Sequence, residues 1–166
     1  MKKQFLAVVC ILLVVFCFVF VACDSKPEPI TMDQLQIPQM GKNECVVVVV
    51  NNDGTYTLCV VRIGKDVEQD ASVEQVLQYL NDNTNLYLDW ISDTFGKYIN
   101  GIGGAIVEEP NEFVSVLTSI PSQQASGAWV KTVNIPDYGT VVSASQGVAG
   151  ISVEPGCVIL FMIDTY

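Results

Sequence analysis

Histidine is absent from this chain, and lysine and arginine together number only 8 against 18 aspartates and glutamates. Without imidazole, the usual general base, the near-neutral proton switch and the commonest metal ligand are missing. The shortage of positive charge excludes nucleic acid as a partner. It also argues against electrostatic binding to anionic headgroups, because both depend on clustered cations. Cysteine is sparse where it matters: three of the six lie in the first 23 residues, leaving Cys45, Cys59 and Cys157 far apart. That is neither a dense disulfide framework nor a zinc spacing, so no metal and no cofactor is expected. Serines are plentiful, yet none sits in a Gly-x-Ser-x-Gly turn with a base to activate it. Asp89 with Asp93, or Glu108 with Glu112, could in principle form a hydrolase pair, but nothing in the sequence places either in a cleft. The chain reads as non-enzymatic.

What the chain has in excess is hydrophobicity at its start. After Met1-Lys2-Lys3, every residue from Phe5 to Ala22 is apolar, and the run stops abruptly at Cys23-Asp24-Ser25-Lys26-Pro27. A basic start, an apolar stretch and a small residue before the cut describe an export signal. Eighteen apolar residues are also just enough to cross a bilayer as a helix, so an uncleaved signal anchor is the competing reading. Val21-Ala22-Cys23 favours a bacterial lipoprotein signal, spanning residues 1–22, in which Cys23 is lipidated and becomes the new N-terminus. In either case the rest of the chain faces outward, since the lysines stay on the cytoplasmic side. The expected location is therefore the extracytoplasmic face of the cell membrane, with the membrane itself a partner through Cys23. The mature part keeps six cations against 18 acids, a net charge of −12.

Residues 23–43 hold Pro27, Pro29, Pro38 and Gly41 with no sustained apolar period, and read as a lipid-anchored tether. The folded domain is expected over residues 44–166. Cys45 to Val50 is a β-branched run, followed by Asn51-Asn52-Asp53-Gly54 and a second β-rich run from Thr55 to Ile63, which together signal a hairpin. The five consecutive valines predict a strand covered on both faces, and the Thr/Tyr alternation after the turn predicts one wetter face. Because Cys45 and Cys59 share this hairpin, they are the candidate disulfide; the alternative is three buried thiols acting as small hydrophobes. Ser72-Val73-Glu74-Gln75 has the form of a capping box, and Val73, Val76, Leu77 and Leu80 recur at helical spacing until Asn81-Asp82-Asn83. Short β-like segments follow at Leu86–Ile91, Lys97–Ile102, Phe113–Ile120, Val130–Ile135 and Cys157–Ile163. A hairpin, one main helix and a return to strands predicts an α+β fold with a mixed sheet.

Three stretches carry a likeness to a known family. They are the hairpin with the helix opening at Ser72, the segment from Phe95 to Gly104 with its "I-x-G-I" strand, and the segment from Gly147 to Phe161 that introduces a last apolar strand. The order resembles the transcobalamin-like C-terminal domain, a β-grasp-like module of cobalamin carriers and of many bacterial surface lipoproteins. The likeness runs over roughly residues 44 to 164. Two departures stand out: the family's tryptophan-bearing strand is here Phe113 to Thr118, and its closing Gly-Asp is Gly156-Cys157. Residues 121 to 145 read as an insertion.

The resemblance implies a ligand-binding module, for a small molecule or a protein, with a cobalamin-like ligand suggested by the family name alone. The alternative is a structural adaptor pairing through a sheet edge. For the ligand-binding reading, Gly101, Ile102, Gly103 and Gly104 are candidate contacts, because glycine lets backbone approach a ligand closely. Trp129 and Tyr138, in or near a flexible loop, are candidate aromatic contacts. Trp90 is expected in the core. Glu108 to Glu112 concentrates acid, but without the ligand spacing of a calcium loop it reads as a solvated turn.

Overall fold

In a computed structural model of the chain, residues 30–93 and 96–166 are described. The expected signal segment 1–22 and Cys23 lie outside them. Twelve elements follow one another: β1 (Ile30–Thr31), β2 (Glu44–Val50), β3 (Tyr56–Arg62), α1 (Val73–Asn83), β4 (Leu88–Asp93), β5 (Gly96–Ile102), β6 (Ala105–Ile106), β7 (Glu112–Thr118), a 3-10 turn (Pro121–Gln123), β8 (Thr132–Ile135), β9 (Gly139–Ser143) and β10 (Val158–Thr165). They form a mixed seven-stranded sheet in the order β1-β8-β9-β7-β10-β2-β3, and a three-stranded sheet β4-β5-β6. The fold is α+β with one α-helix among the described residues.

The valine run explains the centre of the large sheet. β2 pairs antiparallel with β3 and parallel with β10, so it is flanked on both sides. Side chains alternate along a strand. Cys45, Val47 and Val49 accordingly join the core under α1, where Val73, Val76, Leu77 and Leu80 are buried. Val46 and Val48 point the other way, into a second core with Leu117, Val133, Ile135, Val141, Val158 and Leu160. Burial on both faces is what selects an unbroken apolar run. In β3, by contrast, Leu58 and Val60 stay exposed while Val61 is buried.

Local chemistry sets the connections. Gly54, at φ 81°, closes the β2–β3 turn, and Asn51 N–H donates to the Thr55 carbonyl at 2.9 Å. The capping box forms as expected: Ser72 Oγ accepts from Gln75 N–H at 3.3 Å, and Gln75 Oε1 accepts from Ser72 N–H at 2.8 Å. At the far end Thr84 N–H donates to the Leu80 carbonyl at 2.9 Å, which ends the helix without a glycine.

One expectation needs correction. Residues 30–40 are not a free tether: β1 pairs with β8, and Met32 and Leu35 are buried in the second core, with Ile37 and Met40 packed against it. The prolines of this stretch hide its role, because it contributes scattered anchors rather than a periodic face. Residues 121–145, which read as an insertion carrying a strand at Val130–Ile135, belong to the main sheet. They hold β8 and β9, two strands of the main sheet that supply Val133, Ile135 and Val141 to the core.

Candidate functional site

An open cleft of about 400 Å³ lies where three parts of the fold meet. β3 contributes Thr57 and Cys59, the segment leaving α1 contributes Thr84, Asn85, Leu86 and Tyr87, and the β5–β6 turn contributes Gly103. Drug-sized ligands occupy pockets of roughly 300 to 1,000 Å³, so this one suits a small molecule.

Asparagines hold the seam together. Gly104 N–H donates to Asn51 Oδ1 at 2.9 Å, and Asn52 N–H donates to the Gly104 carbonyl at 2.9 Å. Asn52 also exchanges bonds with Ile106, its Nδ2 donating to the carbonyl at 2.9 Å and its Oδ1 accepting from N–H at 3.1 Å. Asn51 Nδ2 reaches the Thr57 hydroxyl at 3.2 Å, which fixes one wall of the cleft. In the sequence, Asn51 and Asn52 read only as turn residues. Their docking role has no local signature, because the partners are about 53 residues further on.

The glycines turn out to serve internal neighbours. A Cβ at Gly101 would sit 2.9 Å from Tyr87 Cε1, so the tyrosine ring lies against a bare backbone there. A Cβ at Gly104 would sit 2.8 Å from the Asn51 side chain. Gly103, at φ 55°, forms the turn and reaches the cleft, while Ile102 is fully buried.

The two aromatic candidates are elsewhere. The Tyr138 hydroxyl donates to the Gly156 carbonyl at 2.8 Å and lies 2.9 Å from the Ser119 hydroxyl, and burial pushes its phenol up. Gly156 N–H in turn bonds the Glu44 carbonyl at the start of β2, whereas Asn51 follows its end. At about 3.3 Å per residue, the seven residues of β2 separate the two groups by roughly 20 Å. Gly101 to Gly104 and Tyr138 therefore do not share one site. Trp129 is 99% exposed and stands apart from the cleft lining. The aromatic wall of the cleft is Tyr87 instead, half of it exposed.

The cleft is uncharged. Its lining offers hydroxyls, a phenol, an amide and a thiol, and desolvation pushes the Cys59 thiol up, keeping it neutral. The Asn85 amide has no partner among the described residues. None of Asp89, Glu108 and Glu112 lines it. Asp89 accepts from Asn100 Nδ2 at 2.8 Å, and Glu112 accepts from the N–H groups of Glu108 and Glu109 at 2.9 and 3.0 Å, closing their turn. Among the described residues, no group of three or more Cys, Asp or Glu is arranged to hold a metal ion. Trp90 packs against the main core, as expected.

No protein-family model and no curated protein sequence matches the chain. Among solved structures, a protein from Ruminococcus gnavus ATCC 29149, described provisionally as metal binding, is similar in fold at a TM-score of 0.49. It is 13% identical, and the match covers 75% of this chain and 98% of that one.

Proposed function

We propose that the chain is a non-enzymatic, β-grasp-like binding module, lipid-anchored through Cys23 on the extracytoplasmic face of a bacterial membrane, that takes a small uncharged ligand. The uncharged cleft between β3, the α1 exit and the β5–β6 turn carries this reading. Hydroxyls and an amide orient a ligand by hydrogen bonds, Tyr87 offers it a flat face, and no charged side chain in the lining has to lose its water to a neutral molecule. The β-grasp label is supported by the parallel pairing of β2, first strand of the hairpin that precedes α1, with the closing strand β10. The absence of histidine and of a cleft carboxylate supports binding without chemistry.

Cobalamin is a poor fit. A corrinoid is far larger than this cleft, so too little of it is buried to offset the freedom lost on binding. A second reading, an adaptor pairing through a sheet edge, is favoured by one observation: β3 is an edge strand of the large sheet and leaves Leu58 and Val60 exposed.

Nuclear magnetic resonance on the mature chain, with a neutral fragment library and cyanocobalamin as probes, separates these readings. Fragments should shift Thr57, Asn85, Tyr87 and Gly103, and Tyr87→Ala should weaken the best of them roughly tenfold. Shifts confined to the Leu58 and Val60 methyls, with a partner protein as the only binder, would replace this reading with the adaptor. Nanomolar binding of cyanocobalamin by calorimetry would make the protein a stand-alone corrinoid receptor.

A further inference from the structure

The hairpin cysteines expected to pair are misplaced for it. Cys45 lies opposite Val61 and Cys59 opposite Val47, so the two are diagonal neighbours. Diagonal positions stand about 7 to 8 Å apart, beyond the roughly 7 Å that a disulfide spans without backbone movement. Cys157 is placed differently. The β2–β10 register begins at Val158 opposite Val46, and the bonds from Val46 N–H to the Cys157 carbonyl (3.0 Å) and from Gly156 N–H to the Glu44 carbonyl (2.7 Å) flank the preceding pair. Cys157 therefore faces Cys45 on an adjacent strand, at the spacing of about 4.8 Å that falls inside the disulfide window. Both side chains enter the same core, beneath α1.

We infer that Cys45 and Cys157 form a disulfide that straps β2 to the start of the closing strand β10. The oxidant is a low-molecular-weight disulfide or the disulfide of an exchange protein. One cysteine attacks a sulfur of that disulfide and expels one thiol, giving a mixed disulfide. The second cysteine displaces the other thiol. Two protein S–H bonds and one external S–S bond are exchanged for one protein S–S bond and two external S–H bonds. The two free thiols enter the same core from paired positions. Their interaction, with burial, raises the Cys45 thiol and lowers Cys157, which favours Cys157 as the first attacker. Its neighbours Glu154, Pro155 and Gly156 are exposed, which gives an oxidant a route. Cys59, half-buried at the cleft, is left over as a free thiol.

Where the bridge forms in the cell rests on the proposed export of the chain, but its chemistry does not. The test takes the full chain, purified in detergent and reduced, and exposes it to oxidised glutathione before protease digestion and mass spectrometry. A peptide joining Cys45 to Cys157, lighter by two hydrogens, should appear in the native chain and in Cys59→Ser, and vanish in Cys45→Ala. The oxidised protein should melt on the order of 10 °C higher than the reduced one, because the bridge closes a loop of about 110 residues. A link through Cys59, glutathione adducts alone, or no oxidation at all in the native chain would overturn the inference, whether or not the variants fold. Failure there would leave the cleft untouched, and failure of the cleft would leave the bridge untouched.

Discussion

Arg62 and Asp66 form the most complete ion pair in the molecule's described part. Arg62 Nε and Nη2 each donate to the Asp66 carboxylate at 2.9 Å, and Arg62 N–H adds a third bond at 3.0 Å. This occupies an outward N–H at the end of the edge strand β3, where a free donor would invite another strand. The Arg62 side chain and backbone hold the Asp66 carboxyl down at about 2, against an ordinary value of 3.8. A carboxyl depressed on folding contributes stability above its unfolded value, and that contribution is lost as pH falls through the folded one. Carbon-detected titration should therefore find Asp66 ionised well below pH 3.8, and Arg62→Gln should return its midpoint towards the ordinary value. An unchanged midpoint in the variant would show that the pair does not exist in solution.

Among elements, the short strand β1 and the segment after it change most in meaning between sequence and structure. Leu35 is 1% exposed in the second core, although it belongs to a stretch that reads as a tether. Leu35→Ala removes buried methyl groups and leaves a cavity, and such changes cost about 2 to 5 kcal/mol. Urea unfolding should show a loss in that range, with the slope unchanged. A free tether would show no loss. The hairpin behaves oppositely: its strands, turn and double burial were legible at once, because five valines around an Asn/Asp-Gly turn leave little else for the backbone to do. α1 was equally legible, since its capping box and its buried face are both local patterns.

For the whole molecule, the decisive question is where it resides. Our reading of the signal gives Cys23 a lipid and the domain a place outside the membrane. Cys23→Ala should abolish incorporation of a tagged fatty acid and leave the precursor unprocessed or released, because acylation at that thiol provides the hold. Labelling that persists in the variant would remove the anchor from the account. No helix among the described residues is long and apolar enough to cross a membrane.

The sequence by itself determined the features whose causes lie within a few residues of one another: the apolar start, the hairpin, the capped helix, the net negative charge and the lack of histidine chemistry. Tertiary structure alone decided what depends on distant partners. It placed Gly104 against Asn51, laid the Tyr87 ring over Gly101, separated Tyr138 from the glycine turn by the length of β2, and exchanged Cys59 for Cys157 as the neighbour of Cys45. The physical reason is the same in each case. A glycine or a cysteine advertises what it permits, but only the strand order, with β10 inserted between β7 and β2, specifies which side chain comes to lie beside it.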